Sequence, residues 1–369
     1  MQFTFPAKPW QRAVRSRAIK LALCFAALLA APSISAFDLD DLYTVEVQLD
    51  PTDSSSRDNA YETAMSRILV RMTGSAYAAE SEELADIFSN PSRYVLRYRP
   101  GPDNTLAITF DGPAIENLLR RSGHATWGPD RPVTLVWLAV DWGQGDREII
   151  AAQDDSQRRA SARSIDRNRL LRERVLEVAA QRGVPVLFPL LDAEDLTNIS
   201  FSDIWAGFDD RLLDASSRYD VASVLVGRVR TVGLGRNRWS YYFGDEVLSW
   251  SGEPEEVVNL LADSMAQQFA FSPDARLETI SLRVAGIESV SAYGAVQRAL
   301  EELSLVEEFV VHSVAGSAVD YRVKAYGGVE RLGKALELTG VLERDRMAID
   351  PLQRTIPLAN SDLEFVYRP

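Results

Sequence analysis

The sequence predicts a mixed α/β and α+β protein assembled from three small modules. Three observations carry this expectation. Residues 133–140 are nearly all apolar, as a strand covered on both faces requires, and they open a strand–helix alternation that makes an α/β sheet. Before them, residues 38–128 order as β-α-α-β-β-α. After them, residues 273–369 order as β-α-β-β-α-β, the order of a ferredoxin-like module.

In the first module, Tyr43-Thr44-Val45-Glu46-Val47-Gln48-Leu49 alternates at period two and reads as a half-buried strand. The polar stretch 50–56 is a loop. A helix begins near Arg57, with Ala60, Ala64, Ile68 and Met72 one turn apart, and Gly74 stops it. A second helix covers 82–88 and closes at Asn90-Pro91. Residues 94–98 and 105–110 form a strand pair around the turn Gly101-Pro102-Asp103-Asn104, and 113–121 is a helix stopped at Gly123.

The middle module spans 130–272. The strand at 133–140 is followed by a turn at 141–146, an edge strand at 147–152 and a helix at 164–182 with Leu171, Val175 and Val178 on one face. A strand at 184–190, a helix within 202–219, strands at 221–229, 239–243 and 247–250, and a helix at 254–271 complete it. Asp209-Asp210 is expected in mid-helix. The third module spans 273–369. It contains a strand at 278–284, a helix at 290–303, a hairpin of 306–314 and 318–325 around Gly316, a helix at 329–339 and a strand at 363–367.

Residues 1–36 are set apart. Lys8, Arg12, Arg15, Arg17 and Lys20 precede the unbroken apolar run 21–31, and Pro32, Ser33, Ser35 and Ala36 follow. This basic–apolar–small order is that of a secretory signal peptide, cut after Ala36. The run falls well short of the ~20 residues that span a bilayer. Large Leu23 before Cys24 is unlike a lipoprotein cleavage site, so Cys24 is filler in the apolar stretch. Export to the periplasm is expected, with no transmembrane segment after signal cleavage. Losing five cations takes the formal charge from −13 to −18 and removes the only cysteine.

The charge balance excludes nucleic acid as a partner, because the phosphate backbone needs a basic footprint. The cysteine and histidine counts exclude a disulfide framework, thiolate metal sites and cysteine catalysis. His124 and His312 have no neighbouring ligand or triad partner and read as surface groups. No G-x-S-x-G pentad occurs. Gly143-Gln144-Gly145 and Gly233-Leu234-Gly235 sit between strands rather than before a helix, so both read as hairpin turns, not phosphate loops. Asp192-Ala193-Glu194-Asp195 follows a strand end, where α/β proteins place function, but lacks calcium-loop spacing. No catalytic residue, metal ligand or cofactor is assigned.

Aromatic residues are the distinctive class. Trp239-Ser240-Tyr241-Tyr242-Phe243 is aromatic on both faces of one strand, and Trp142 lies nearby. Trp239, Tyr241, Phe243 and Trp142 are the candidate partner-docking residues, since aromatics anchor interfaces. Packing into the core is the alternative for the same side chains.

Several strings resemble a known family: Ala64 with Arg67-Ile68-Leu69-Val70-Arg71-Met72-Thr73-Gly74, Asn90-Pro91-Ser92-Arg93-Tyr94-Val95, Trp127-Gly128 with Arg131-Pro132, and Leu135-Val136-Trp137-Leu138-Ala139. Leu190-Leu191-Asp192, Ala215-Ser216 through Arg218-Tyr219, and Gly227-Arg228 complete the set. Together they resemble domain-of-unknown-function family 2066, an uncharacterised bacterial family, over about 38–330. That family carries no catalytic role across. The first module also resembles the N-terminal module of the flagellar assembly protein T, and the middle one looks like the N-terminal α/β domain of TolB. These resemblances imply a soluble, non-enzymatic periplasmic protein that docks other envelope proteins. The alternatives are a periplasmic hydrolase with paired carboxylates at a domain cleft and a small-molecule binding module.

Overall fold

The computed structural model describes residues 42–50, 55–153, 162–233, 235–244, 246–271, 275–303, 305–345 and 361–368. The expected signal segment lies outside them. Three sheets, each with its own helices, make a mixed fold of several small modules.

The first sheet is antiparallel, in the order β1 (Thr44–Gln48), β3 (Thr105–Phe110), β2 (Val95–Pro100). Helices α1 (Ser56–Thr73), α2 (Glu82–Ile87) and α3 (Gly112–Arg121) accompany it. Ala60, Ala64, Ile68 and Met72 of α1 meet Val45, Val47, Ile108 and Phe110 in one core. Gly74 ends α1 in the left-handed region, φ 72°, and a Cβ there would collide with Ala266. Asp111 caps α3 through the Ala114 amide at 3.0 Å.

The middle sheet runs β5 (Asp146–Ile149), β4 (Thr134–Gly143), β7 (Ser223–Arg230), β8 (Arg238–Phe243), β9 (Glu246–Trp250), with β6 (Val186–Leu187) also paired to β4. β4 is parallel to β6 and β7. Helices α4 (Ala162–Arg182) and α8 (Pro254–Phe269) cover one face, packing on Val136, Leu138, Val140 and Leu225. The other face, carrying Leu135, Trp137, Ala139 and Val226, meets α5 (Ala193–Asn198), α6 (Phe201–Ala206) and α7 (Asp209–Ser216). Both faces of β4 are therefore dry, as its apolar run requires.

Four expectations here are corrected. The turn placed at 141–146 shrinks to Gln144-Gly145, both at positive φ (56° and 85°), because a two-residue turn of this kind matches the twist of the paired strands. The strand at 184–190 contracts to two residues, flanked by Pro185 and Pro189, which lack amide donors. The helix within 202–219 is two helices, broken at Gly207 with φ 83°. Asp209-Asp210 consequently sits in the first turn of α7, where carboxylates favour the helix dipole, rather than in mid-helix.

The third sheet runs β11 (Val306–Ala315), β12 (Ala318–Tyr326), β10 (Leu277–Ala285), β14 (Leu363–Tyr367), β13 (Leu342–Arg344). Helices α9 (Val290–Glu302) and α10 (Gly328–Leu338) bury Val296, Leu300, Leu332 and Leu336 against it. It departs from a ferredoxin-like sheet in one respect. The short strand β13 is additional, and β14 inserts between it and β10, running parallel to β10 where the ferredoxin order needs an antiparallel neighbour.

A buried arginine ties the first two modules together. Arg131 donates to the carbonyls of Gly128 (2.9 Å), Trp127 (2.8 Å), Arg71 (2.6 Å), Gly183 (2.7 Å) and Arg182 (3.4 Å). Its guanidinium lies 4.0 Å from the centre of the Trp127 ring. Arg71 and Arg182 belong to the last turns of α1 and α4, so one cation caps the carbonyl-rich ends of two helices. Arg182 adds bonds to the Gly74 carbonyl (2.9 Å) and Asp263 (2.5 Å).

Candidate functional site

Three of the four residues expected to dock a partner fall in the core. Trp239 and Tyr241 are 1% exposed and Phe243 9%. β8 lies between β7 and β9, so its odd-numbered side chains turn toward α4 and α8. Trp239 donates its indole N–H to the Gly252 carbonyl (3.1 Å), Tyr241 stacks on Trp250 (5.6 Å, 13°), and Phe243 meets Phe269 edge-on (5.5 Å, 85°). Gly227 leaves the space for Trp239, since a Cβ there would strike the indole. Trp142 is half-buried, donating to Asn168 (3.1 Å) with the Arg167 guanidinium 4.5 Å over its ring. Trp239, Tyr241 and Phe243 pack the middle module and offer no docking face, while Trp142 stays half-exposed at its rim.

The acidic stretch after β6 is a clasp. Asp192 caps α5 through the amides of Glu194 and Asp195, both at 3.1 Å, and pairs with both terminal nitrogens of Arg218. Asp195 is buried, accepting from Arg218 (2.9 Å), the Tyr219 hydroxyl (2.5 Å) and the Leu191 amide (2.8 Å). Hydrogen bonds from Arg218 hold the Asp192 carboxyl well below the usual carboxylate range. Burial and Asp195 push the Tyr219 phenol up. Every strong polar group here is committed to another, so the cluster fixes a loop.

The carboxyl ends of the parallel strands, the default ligand position in such sheets, are also filled. Asp141 pairs with Arg230 in register, the Thr231 amide donates to the Asp141 carbonyl (3.1 Å), and Val232 packs where a Gly143 side chain would be. Phe201 and Trp205 stack there at 5.1 Å, flanked by Arg147 and Arg230. On the same face of the sheet, a second arginine knot joins Arg228 to Asp209 (2.6 Å), Ser240 (3.2 Å) and the Ile204 carbonyl (2.6 Å). His124 lies 3.5 Å from Glu83, and His312 is exposed on β11. Among the described residues, no group of three His, Cys, Asp or Glu side chains could hold a metal ion, and no helix is long and apolar enough to cross a membrane.

Two surface features are left. The first is β11, ten residues long and, among the described residues, bonded on one side only, to β12. Val310 is 50% exposed, Val311 37% and Val314 65%. Register shifts at Glu307 and His312 leave Glu308–Val311 as a regular stretch between two bulges. Sequence reasoning found this strand but not its exposure. The signal was there in Val310-Val311-His312-Ser313-Val314, which is apolar without alternating cleanly.

The second is a cleft of about 440 Å³ between the middle and third modules. Pro129–Val133 and the segment Asp220–Ala222 form one side, α9 and the end of α10 the other. Its apolar floor includes Leu303, Leu338 and Val341, and Asp220 and Arg298 lie on its walls. Of its lining, only Arg131-Pro132 belonged to a family-resembling string, and nothing in the sequence pointed to a cavity there.

The family model of a domain of unknown function, DUF8605, matches residues 36–128, a stretch that begins before β1 and ends just past α3. No curated protein and no solved structure matches the chain.

Proposed function

We propose that the chain is an exported, non-enzymatic periplasmic protein that docks other cell-envelope proteins, and that it does so by strand addition to β11. The observation that carries this reading is the ten-residue edge strand whose outer edge is unpaired among the described residues, with valines exposed along it. An unpaired edge presents main-chain donors and acceptors, and a partner strand supplies their complements while its alternate side chains reach the exposed valines. The two bulges limit the pairing register to the segment around Glu308–Val311, which gives selectivity rather than indiscriminate sheet extension. The partner segment is extended and basic, because a chain of −18 without its first 36 residues repels acidic ones. The basic–apolar–small order of residues 1–36 supports export. The resemblance to family 2066 and to TolB supports a place in the envelope.

The test is a photo-reactive residue at Val314 in cells making the full chain. Adducts with an envelope protein are expected, and Val310→Lys, an exposed change that blunts the edge, removes most of them. The same adducts from a probe at exposed Val247 on β9, or an undiminished yield with Val310→Lys, would sink the reading.

A further inference from the structure

The cleft between the middle and third modules combines an apolar floor with charged walls, where Asp220 and Arg298 do not pair with each other and Asp130 and Arg131 stand beside them. Asp220 precedes β7 and Arg298 lies on α9, and both line the same 440 Å³ space. Among the described residues neither has an ion-pair partner. Arg298 makes one hydrogen bond, from Nε to the Gly294 carbonyl at 3.2 Å, which leaves its terminal nitrogens uncommitted. The other arginine at the cleft differs, because all five N–H donors of Arg131 are spent on main-chain carbonyls. Arg131 contributes charge to the wall but no hydrogen bond to a ligand.

We infer that this cleft binds a small zwitterion with an apolar side chain, an apolar α-amino acid or dipeptide. The ammonium sits at Asp220, the carboxylate at the terminal nitrogens of Arg298, and the side chain on Leu303, Leu338 and Val341. The volume lies within the range of about 300–1,000 Å³ common to small-molecule sites, which favour module junctions such as this one. A planar guanidinium suits a carboxylate, and charge-assisted bonds at both ends select a zwitterion over a singly charged amphiphile. The site is separate from β11 and stands or falls independently of docking there.

Calorimetric titration of the full chain tests the inference with leucyl-leucine, leucine, N-acetyl-leucyl-leucine and leucyl-leucinamide. Saturable binding of leucine or leucyl-leucine is expected, the tighter of the two giving the ligand's length, with both capped forms weaker by about tenfold, the effect of losing one charge-assisted bond. Asp220→Asn keeps the left-handed backbone at this position (φ 49°), which asparagine tolerates, and abolishes discrimination against the acetylated form alone. Arg298→Gln abolishes discrimination against the amide alone. Ala295→Phe, on the cleft wall at a half-buried helix position, blocks binding without touching either charge. Absence of saturable binding, equal affinity for capped and uncapped peptides, or binding unchanged in Ala295→Phe would each overturn the inference.

Discussion

Replacing Arg131 by methionine is the most informative perturbation of this fold. Methionine keeps most of the apolar stem and its contact with Trp127, but it removes five donors at once. The carbonyls of Arg71, Arg182, Gly183, Trp127 and Gly128 lose their partner in a buried site. At ~1 kcal/mol for each orphaned acceptor, the loss reaches about 5 kcal/mol. Burying the guanidinium has its own cost, since burial pulls its pKa down, and methionine relieves that cost. The net destabilisation is then about 3 kcal/mol. Arg131→Lys keeps the charge near both helix ends but has three donors on a single nitrogen, so it falls between the two. Urea unfolding followed by far-ultraviolet circular dichroism and by tryptophan fluorescence measures both variants. A loss under ~1 kcal/mol for Arg131→Met, or a lysine variant as stable as the parent, would show that the carbonyl cage is not what joins α1 to α4.

Asp195→Asn costs about 2–4 kcal/mol in the same assay, because Oδ2 accepts from Leu191 and Tyr219 and Oδ1 from Arg218, so an amide NH₂ faces a donor in either orientation; a neutral change would refute the clasp. Trp239→Ala costs about 3–5 kcal/mol as a core truncation and leaves the crosslinking at Val314 intact under conditions where the variant is folded; a stable variant that loses its adducts would restore the docking role of this residue. Burial pushes the phenols of Tyr43, Tyr241, Tyr242 and Tyr321 up to about 12. The folded state therefore holds these protons longer than the unfolded chain does, so their contribution is full below about pH 10 and is lost between about pH 10 and 12. Stability that holds steady across that window while tyrosinate absorbance rises would contradict this.

What the sequence makes legible is set by the range of the interaction. The strand at 133–140 is fixed by its own apolar run, and helix α1 by a four-residue apolar spacing with Gly74 at its end, so both stand almost where they were expected. The break at Gly207 was locally written, since Ser200 and Asp203 form a capping box that starts α6 and Gly207 ends it. Residues 184–190 carry strand composition, yet of the three residues between Pro185 and Pro189 only Val186 and Leu187 pair. Topology is beyond local pattern. Leu342–Arg344 is too short to show a period, and whether the last strand lies parallel or antiparallel to β10 depends on residues about eighty positions apart. The aromatic strand failed for a related reason. Period two says that Trp239, Tyr241 and Phe243 share a face, but only the placement of α4 and α8 says that the face is covered.

The buried arginines explain why several of this chain's cations serve the fold rather than a partner. Arg71, Arg131, Arg182 and Arg228 are buried, and their terminal nitrogens bond main-chain carbonyls, the Asp263 and Asp209 carboxylates, Asn259 and Ser240. Cations taken inside in this way still count in the net charge, but their donors face inward and cannot reach a partner. Helix carbonyl ends take the place of carboxylates as counter-groups at Arg131, which lets the modules lock together without consuming acidic side chains. Exposed arginines such as Arg93, Arg99, Arg121 and Arg322 remain on the surface, so what sets the proposed β11 edge and the Asp220–Arg298 cleft apart is geometry, an edge strand in one case and opposite charges over an apolar floor in the other.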